Sequence, residues 1–122
     1  MKIKDNATPI YRQIINYFEY EIASGVLERA SKLSSIRELA LEFKVNPNTV
    51  VRALADLEAR ELIYTDRTNG KFVSNDQALI SGLKDQISKT STKEYITSVK
   101  NLNMQVEEVI NLLKVEWEDS DE

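Results

Sequence analysis

Side chains that can hydrogen-bond to phosphates and nucleotide bases are concentrated between residues 34 and 60. Arg37 lies in a first short amphipathic segment. In a second segment, Asn48, Thr49 and Arg52 share one face at helical spacing. Guanidinium, amide and hydroxyl groups are the types that contact the phosphate backbone and the base edges of DNA. Because an ordinary solvated helix carries a similar polar face, the surrounding elements must distinguish the two interpretations.

Two helix start signals frame these residues. Ser35 and Glu38 form a capping box, in which each side chain reaches the backbone N–H of the other residue. Asn46 followed by Pro47 is the second signal, because asparagine caps a helix and proline suits its first turn. Apolar residues recur at helical spacing behind both starts. They are Ile36, Leu39, Ala40 and Phe43, then Val50, Ala53, Leu54 and Leu57. The segment therefore predicts a helix-turn-helix with its turn at residues 44–45.

A β-hairpin is predicted directly after the second helix. Residues 62–65 and 71–74 are short, β-prone and partly alternating. Asn69-Gly70 between them predicts a type I′ turn, which needs positive φ at both residues. We expect Arg67 and Lys71 at the hairpin tip, where the glycine permits close backbone approach. A hairpin in this place is a wing, so the predicted fold class is mostly α with a small β-hairpin, a winged helix-turn-helix.

A preceding helix completes the first domain, which we assign to residues 1–75. Its apolar residues follow one another at four-residue spacing: Ile10, Ile14, Phe18 and Ile22. Gly25 is placed to cap its C-terminus. The apolar face is expected to pack against the helix-turn-helix. Arg12 on this helix is expected to be solvated rather than bound to phosphate, as surface charges usually are.

Residues 76–122 are predicted to form a helical dimerisation tail. An apolar stripe runs from Leu79 to Ile87, and a near-heptad series follows from Ile96 to Leu113. A polar stretch at residues 89–92 could interrupt the helix, with Ser91 to Glu94 as a second candidate capping box. Asn101 and Asn103 could also break it, so the sequence leaves open one bent helix or two.

Such stripes cannot be buried by two helices alone, so the tail is expected to self-associate as a twofold homodimer. Folding back onto the winged domain is the less favoured alternative. The predicted dimerisation residues are Leu79, Leu83, Ile87, Val99, Leu102, Val106, Val109 and Leu113.

Composition excludes several classes of function. The chain has no cysteine and no histidine, and only three glycines. The common general bases, nucleophiles, metal ligands and phosphate-binding glycine loops are therefore missing, so we expect no enzyme, catalytic residue, metal or cofactor. No signal peptide or membrane-length apolar run is visible, which predicts a cytoplasmic protein.

The net charge of −4 is not the basic balance expected of a DNA-binding protein. Residues 1–76 carry 11 positive and 11 negative side chains, and residues 77–122 carry 5 and 9. The acidic excess therefore lies in the tail. A neutral domain can still bind DNA if its cations share one face.

Residues 8–74 resemble the DNA-binding domain of the GntR family of bacterial transcription regulators. The matching runs are Pro9–Ile14, Ile22–Gly25, Leu33–Ala40, Val45–Val50, Arg52–Leu54 with Leu57–Glu58, and Gly70–Val73. The run Val45–Val50 and the short tail are similar to the YtrA-like subfamily. The chain departs from the family at Val51, where many members have arginine. Val51 is expected either to touch a thymine methyl or to face the wing.

The resemblance implies a sequence-specific, homodimeric repressor that binds double-stranded operator DNA. Such regulators control small operons, often ones for transporters, and no small-molecule effector is identified. The predicted DNA-binding residues are Ser35, Arg37, Asn46, Asn48, Thr49, Arg52, Arg67, Gly70 and Lys71. The alternative is a winged-helix protein-interaction module that does not bind DNA.

Overall fold

A computed structural model describes residues 7–120 of the chain. The elements of this part are α1 (Ile10–Ser24), α2 (Ile36–Phe43), α3 (Pro47–Ala59), β1 (Ile63–Asp66), β2 (Gly70–Val73), α4 (Gln77–Asn101) and α5 (Val106–Asp119). Residues 1–6, where a signal peptide would begin and none is predicted, and the last two acidic residues lie outside the described range. No helix within that range combines the length and apolarity that crossing a membrane requires.

The chain forms two compact units that divide after Asp85, within α4. The domain boundary predicted from the sequence lies earlier, after residue 75. In the first unit the order of helices and hairpin is that of a winged helix-turn-helix, so the predicted fold class is confirmed.

Both predicted helix starts are confirmed at the level of hydrogen bonds. Ser35 Oγ accepts from the N–H of Glu38 at 3.1 Å, and Glu38 Oε1 accepts from the N–H of Ser35 at 2.8 Å. Asn46 Oδ1 accepts from the N–H of Asn48 at 2.8 Å. Lys44, with φ 59°, ends α2 in the left-handed region. The turn between the helices therefore lies where the sequence predicts it.

The core of the first unit lies where α1 and α2 pack against α3. Its buried apolar residues on these helices are Ile14, Ile15, Phe18, Ile22, Leu39, Ala40, Phe43, Val50, Ala53, Leu54 and Leu57. Tyr17, Phe18 and Phe43 meet edge to face, with ring centroids 5.3 to 6.0 Å apart. Ile10 is exposed, so the predicted stripe of α1 becomes buried only from Ile14 onward.

The hairpin differs from the prediction in its turn, and a short segment that was not predicted pairs with it. Only Gly70 of the Asn69-Gly70 pair has positive φ, at 104°, so the predicted type I′ turn is wrong. Asp66 instead pairs with Gly70 across a three-residue loop. The segment at residues 30–33 adds a further short pairing: the N–H of Leu33 donates to the carbonyl of Lys71 at 2.8 Å. The sequence predicts only a loop here, because residues 30–33 have no alternating apolar pattern.

The tail consists of two helices, broken only once within the described residues. Helix α4 continues through residues 89–92, so the predicted interruption and the capping box at Ser91 and Glu94 are wrong. The break falls at residues 102–105, where Asn103 has φ 60°. Glu108 then accepts from the N–H of Gln105 at 3.1 Å at the start of α5. The near-heptad series from Ile96 to Leu113 is therefore not one continuous helical seam.

Substitution of Leu57 by alanine is expected to lower the free energy of unfolding by about 2 to 5 kcal/mol, because a cavity forms in the core. Leu57 is 0% exposed, whereas Leu41 on α2 is 74% exposed. Leu41→Ala is the matched control and should change the free energy by less than about 0.5 kcal/mol. Urea unfolding at one fixed protein concentration measures both. Equal midpoints for the two variants would contradict this assignment of the core.

Candidate nucleic-acid interface

The outer face of α3 carries polar groups that the fold leaves accessible. Asn48 and Arg52 are exposed, and Thr49 is half-buried. The small residues Ala55 and Ala59 continue this face and are also exposed. The opposite face is fixed in the core, so the helix cannot rotate without exposing apolar surface. An exposed helix edge of this kind can enter the major groove of a DNA duplex.

The cations of the first unit fall into a paired and an unpaired set. Arg60 Nη1 lies 2.7 Å from Glu19 and its Nη2 lies 2.8 Å from Asp56. Lys71 Nζ lies 2.9 Å from Glu58. Several exposed cations of this unit form no ion pair with any described carboxylate, and those on the helix-turn-helix and the wing tip are Arg37, Lys44, Arg52 and Arg67. The unpaired set is the one available to phosphate, since no internal carboxylate neutralises it.

The wing tip is ordered by a carboxylate. Asp66 Oδ1 accepts from the N–H groups of Thr68 and Asn69 at 2.9 and 3.2 Å. These hydrogen bonds hold the pKa of Asp66 below its ordinary value. Arg67 lies exposed in this loop. A Cβ added at Gly70 would lie 3.3 Å from Lys32 Cε, and the positive φ disfavours other residues there.

Lys71 is placed differently from the sequence prediction. It lies in β2 rather than at the tip, and its Nζ donates to Glu58 at 2.9 Å and to Thr65 Oγ1 at 2.7 Å. The hydrogen bond from Lys71, followed by that from Thr65, lowers the pKa of Glu58. Glu58 belongs to α3, so this network ties the wing to the recognition helix. Lys71 is thus not a free cation in the described structure.

A groove of about 470 Å³ lies between α3 and the wing, with Glu58 and Lys71 in its wall. A second cavity of about 530 Å³ lies between the wing and residues 32–38, and it shares Ile36 and Lys71 with the groove. Val51 lines the groove together with Lys71 of the wing and is 46% exposed, so its contact with a thymine methyl stays a prediction. Ser35, Arg67 and Gly70 also line the second cavity. With Lys71, the fold therefore gathers four of the predicted residues around the wing, separately from the exposed start of α3.

Two predicted residues are already used in caps. Ser35 Oγ and Asn46 Oδ1 both accept backbone hydrogen bonds that begin helices. The hydroxyl hydrogen of Ser35 and the amide group of Asn46 are the parts that remain able to donate. Both residues are exposed at the edge of the helix-turn-helix. Their capping role is shown, and their contact with DNA stays a prediction.

The structure brings a further side chain, Tyr11, to the start of the interface. The guanidinium carbon of Arg52 lies 3.7 Å from the centroid of the Tyr11 ring. The guanidinium carbon of Arg12 lies 5.6 Å from the same centroid. Residue spacing gave no signal of this contact, because it joins α1 to α3 and depends on how the helices pack. Sequence reasoning therefore missed Tyr11.

Comparison with known proteins gives results that agree with this geometry. The model of the bacterial regulatory proteins of the gntR family matches residues 10–73. The chain is 32% identical to the HTH-type transcriptional repressor YtrA of Bacillus subtilis (strain 168), over 89% of this chain and 85% of that protein. A GntR family transcriptional regulator from Listeria monocytogenes has a similar structure, with TM-score 0.85 and 40% identity, covering 91% of this chain and 97% of that one.

A solved complex with DNA is also similar to the first part of the chain. The crystal structure of AraR(DBD) in complex with operator ORR3 superposes with TM-score 0.54 and 26% identity. The match covers 59% of this chain and 87% of that one.

Acid is expected to destabilise the first unit below about pH 4.3, the ordinary pKa of an unfolded glutamate. The pKa of Glu38 is lowered by its hydrogen bonds with the backbone and side chain of Ser35, and those of Glu58 and Asp66 are also lowered. A lowered folded pKa means that the stabilisation is complete above the unfolded value. It is lost as the pH falls through the folded value.

The matched variant for this prediction is Glu38→Gln, which keeps a capping box but does not titrate. Its unfolding midpoint in urea should fall less than that of the unmodified chain between about pH 5 and pH 3. If both proteins lose stability equally over this range, the Glu38 carboxylate does not contribute to acid sensitivity.

Proposed function

Because this chain belongs to the GntR family of bacterial regulatory proteins, we propose that it is a homodimeric repressor that binds a specific operator. The family match and the relatives of the chain support a DNA-binding transcriptional regulator. The observation that carries the proposed binding to an operator is the exposed polar edge of α3, whose apolar back is completely buried.

In the proposed mode of binding, α3 enters the major groove. Asn48 and Thr49 at its N-terminal end contact base edges or fix the position of the helix. Arg37 in α2 contacts guanine or the backbone, and its guanidinium has no described ion pair that would have to be broken. Arg67 and Gly70 bring the wing to the flanking groove. Binding across a promoter would exclude RNA polymerase, which is the proposed mechanism of repression.

A dimer is supported by the apolar surface of the tail. No residue of α5 is buried within the described chain. Leu102, Val106 and Leu113 are 72%, 62% and 50% exposed. Large exposed apolar patches mark surfaces that bind a partner, and a twofold dimer would cover them. It would also present two α3 helices to a pseudo-palindromic operator.

The predicted dimerisation residues divide by accessibility. Leu102, Val106 and Leu113 are exposed, and Leu79, Ile87 and Val109 are half-buried. Leu83 and Val99 are already buried within the chain. We propose that the exposed and half-buried residues contact the second subunit, whereas the two buried ones hold their own helix in place. By the same resemblance to the family, we propose that the chain regulates a small operon, such as one for transporters.

The experiment that tests the function begins with capture of genomic DNA fragments by the purified chain, followed by footprinting. Arg37→Ala and Asn48→Ala should then weaken binding to the captured site by roughly tenfold. Arg29→Ala is the control, because this exposed arginine donates to Gln77 at the start of α4, outside the predicted interface. Binding that does not change in the first two variants, or no captured DNA at all, would favour the protein-interaction module.

The dimer has a separate test. Leu113→Glu should shift the chain from dimer to monomer in sedimentation at micromolar concentration, because it places a charge in the proposed apolar contact. Affinity for a two-half-site operator should fall with it, since a monomer lacks the second linked binding event. Val26→Glu changes a residue that is also exposed but lies in the first unit, and it should leave the dimer intact. A monomeric unmodified chain would contradict the dimer.

A further inference from the structure

We infer that Tyr11, Arg12 and Arg52 form a composite site for one backbone phosphate of the DNA, in which Tyr11 is the positioning residue. The site joins the start of α1 to the middle of α3. The inference deepens the proposed function, and it adds a residue of α1 to an interface otherwise made from α2, α3 and the wing.

The contact between Arg52 and Tyr11 is close. The guanidinium carbon lies 3.7 Å from the ring centroid, well inside the limit of about 6 Å for attraction between a cation and an aromatic ring. Tyr11 is half-buried and Arg52 is exposed, so the ring can be held by the fold while the guanidinium still reaches a ligand. Ordering a long side chain before binding reduces the entropy that is lost on binding.

A second guanidinium shares this ring. Arg12 lies 5.6 Å from the centroid, and it forms no ion pair with any described carboxylate. Two like charges held beside one ring repel each other unless an anion lies near both. A phosphate is a suitable anion, because guanidinium groups bind its oxygens with two parallel hydrogen bonds.

The carboxylate nearest in sequence to Arg52 on its own helix face is occupied elsewhere. Asp56, one turn away on α3, accepts from Arg60 Nε at 3.0 Å and lies 2.8 Å from Arg60 Nη2. Arg60 is itself held by Glu19 of α1. The ion pairs at the far end of α3 therefore keep Asp56 away from Arg52, and the positive charge of Arg52 is left for a ligand.

The N-terminus of α1 supports the same ligand. No side chain caps this helix, and its first turn contains no acidic residue. Within the described residues, the positive end of the helix dipole therefore lies beside Tyr11 and Arg12, and no carboxylate in the first turn offsets it. A phosphate is favoured there for the same reason that helix N-termini bind anions generally. The sequence predicts a solvated Arg12, because residue spacing does not reveal that Arg52 lies near the same ring.

A contact to phosphate does not depend on the base sequence, so the site predicts a specific signature in binding experiments. Tyr11→Leu and Arg52→Ala should each weaken binding to a captured operator and to an unrelated duplex by the same factor, about threefold to tenfold. The slope of log affinity against log salt concentration should become less steep by about one unit for Arg52→Ala. Tyr11→Phe keeps the ring and should bind like the unmodified chain.

Coupling between the tyrosine and the two arginines separates positioning from direct contact. In a chain that already carries Arg12→Ala and Arg52→Ala, adding Tyr11→Leu should weaken binding no further, because the tyrosine acts through the two arginines. Additive losses would overturn the positioning role. An effect of Arg52→Ala that is confined to the operator would overturn the phosphate assignment, since it would show contact to a base.

A measurement on the protein without DNA guards against misfolded variants. In nuclear magnetic resonance spectra, the side-chain N–H signal of Arg52 should be shifted by the Tyr11 ring in the unmodified chain and in Tyr11→Phe, and not in Tyr11→Leu. No shift in the unmodified chain would overturn the inference. If the chain binds every duplex with equal affinity, the proposed operator specificity fails while the phosphate site is still measured on any duplex. If it binds no duplex, both proposals fail.

Discussion

The burial of the apolar back of α3 is the constraint on which the rest of the structure depends. Val50, Ala53, Leu54 and Leu57 are almost completely removed from solvent between α1, α2 and the hairpin. Burying a single valine or leucine side chain stabilises a fold by about 1.5 to 3 kcal/mol. Any rotation of α3 about its axis would expose several of these side chains at once. The orientation of the outer face is therefore fixed by this packing.

This domain has no excess of cations. Its arginines are left unpaired because many of its carboxylates already have hydrogen-bond or ion-pair partners. Glu38 is bonded to the backbone of a helix start, and Asp66 to the backbone of the wing tip. Glu58 and Asp56 are bonded to Lys71 and Arg60. The acidic residues next to the interface thus have local structural partners. A domain with as many acids as bases can in this way present unpaired arginines on one side.

The same carboxylates also set the geometry of the interface. Glu58 links α3 to both strands of the wing through Lys71 and Thr65, and this network forms one wall of the groove beside Val51. Glu19 and Asp56 hold Arg60 at the other end of α3. The angle of the wing and the end of the recognition helix are therefore held by exposed ion pairs with shared hydrogen bonds. Such pairs contribute modestly to stability but restrict geometry when they share partners.

The helices of the first unit and most of the hairpin could be predicted from the sequence, because their signals are local. The capping box at Ser35 and Glu38, the Asn46-Pro47 start and the spacing of buried residues each involve neighbours within a few positions. The position of the helix break in the tail could not be predicted, because the polar residues at 89–92 and at 101–103 gave equal local reasons for a break. The predicted turn type of the wing was also wrong. The loop is held by hydrogen bonds from the N–H groups of Thr68 and Asn69 to Asp66, which the Asn-Gly pair does not indicate.

The partners of the charged residues, in contrast, depend on how the helices and the hairpin pack. Lys71 meets Glu58, Arg60 meets Glu19, and Arg52 meets Tyr11 across sequence separations that no periodic pattern records. Whether a cation is free or neutralised depends on a few ångströms of helix packing, and this distance is set by the whole core. The sequence therefore specified which polar side chains face outward, and the fold decided which of them are left to bind.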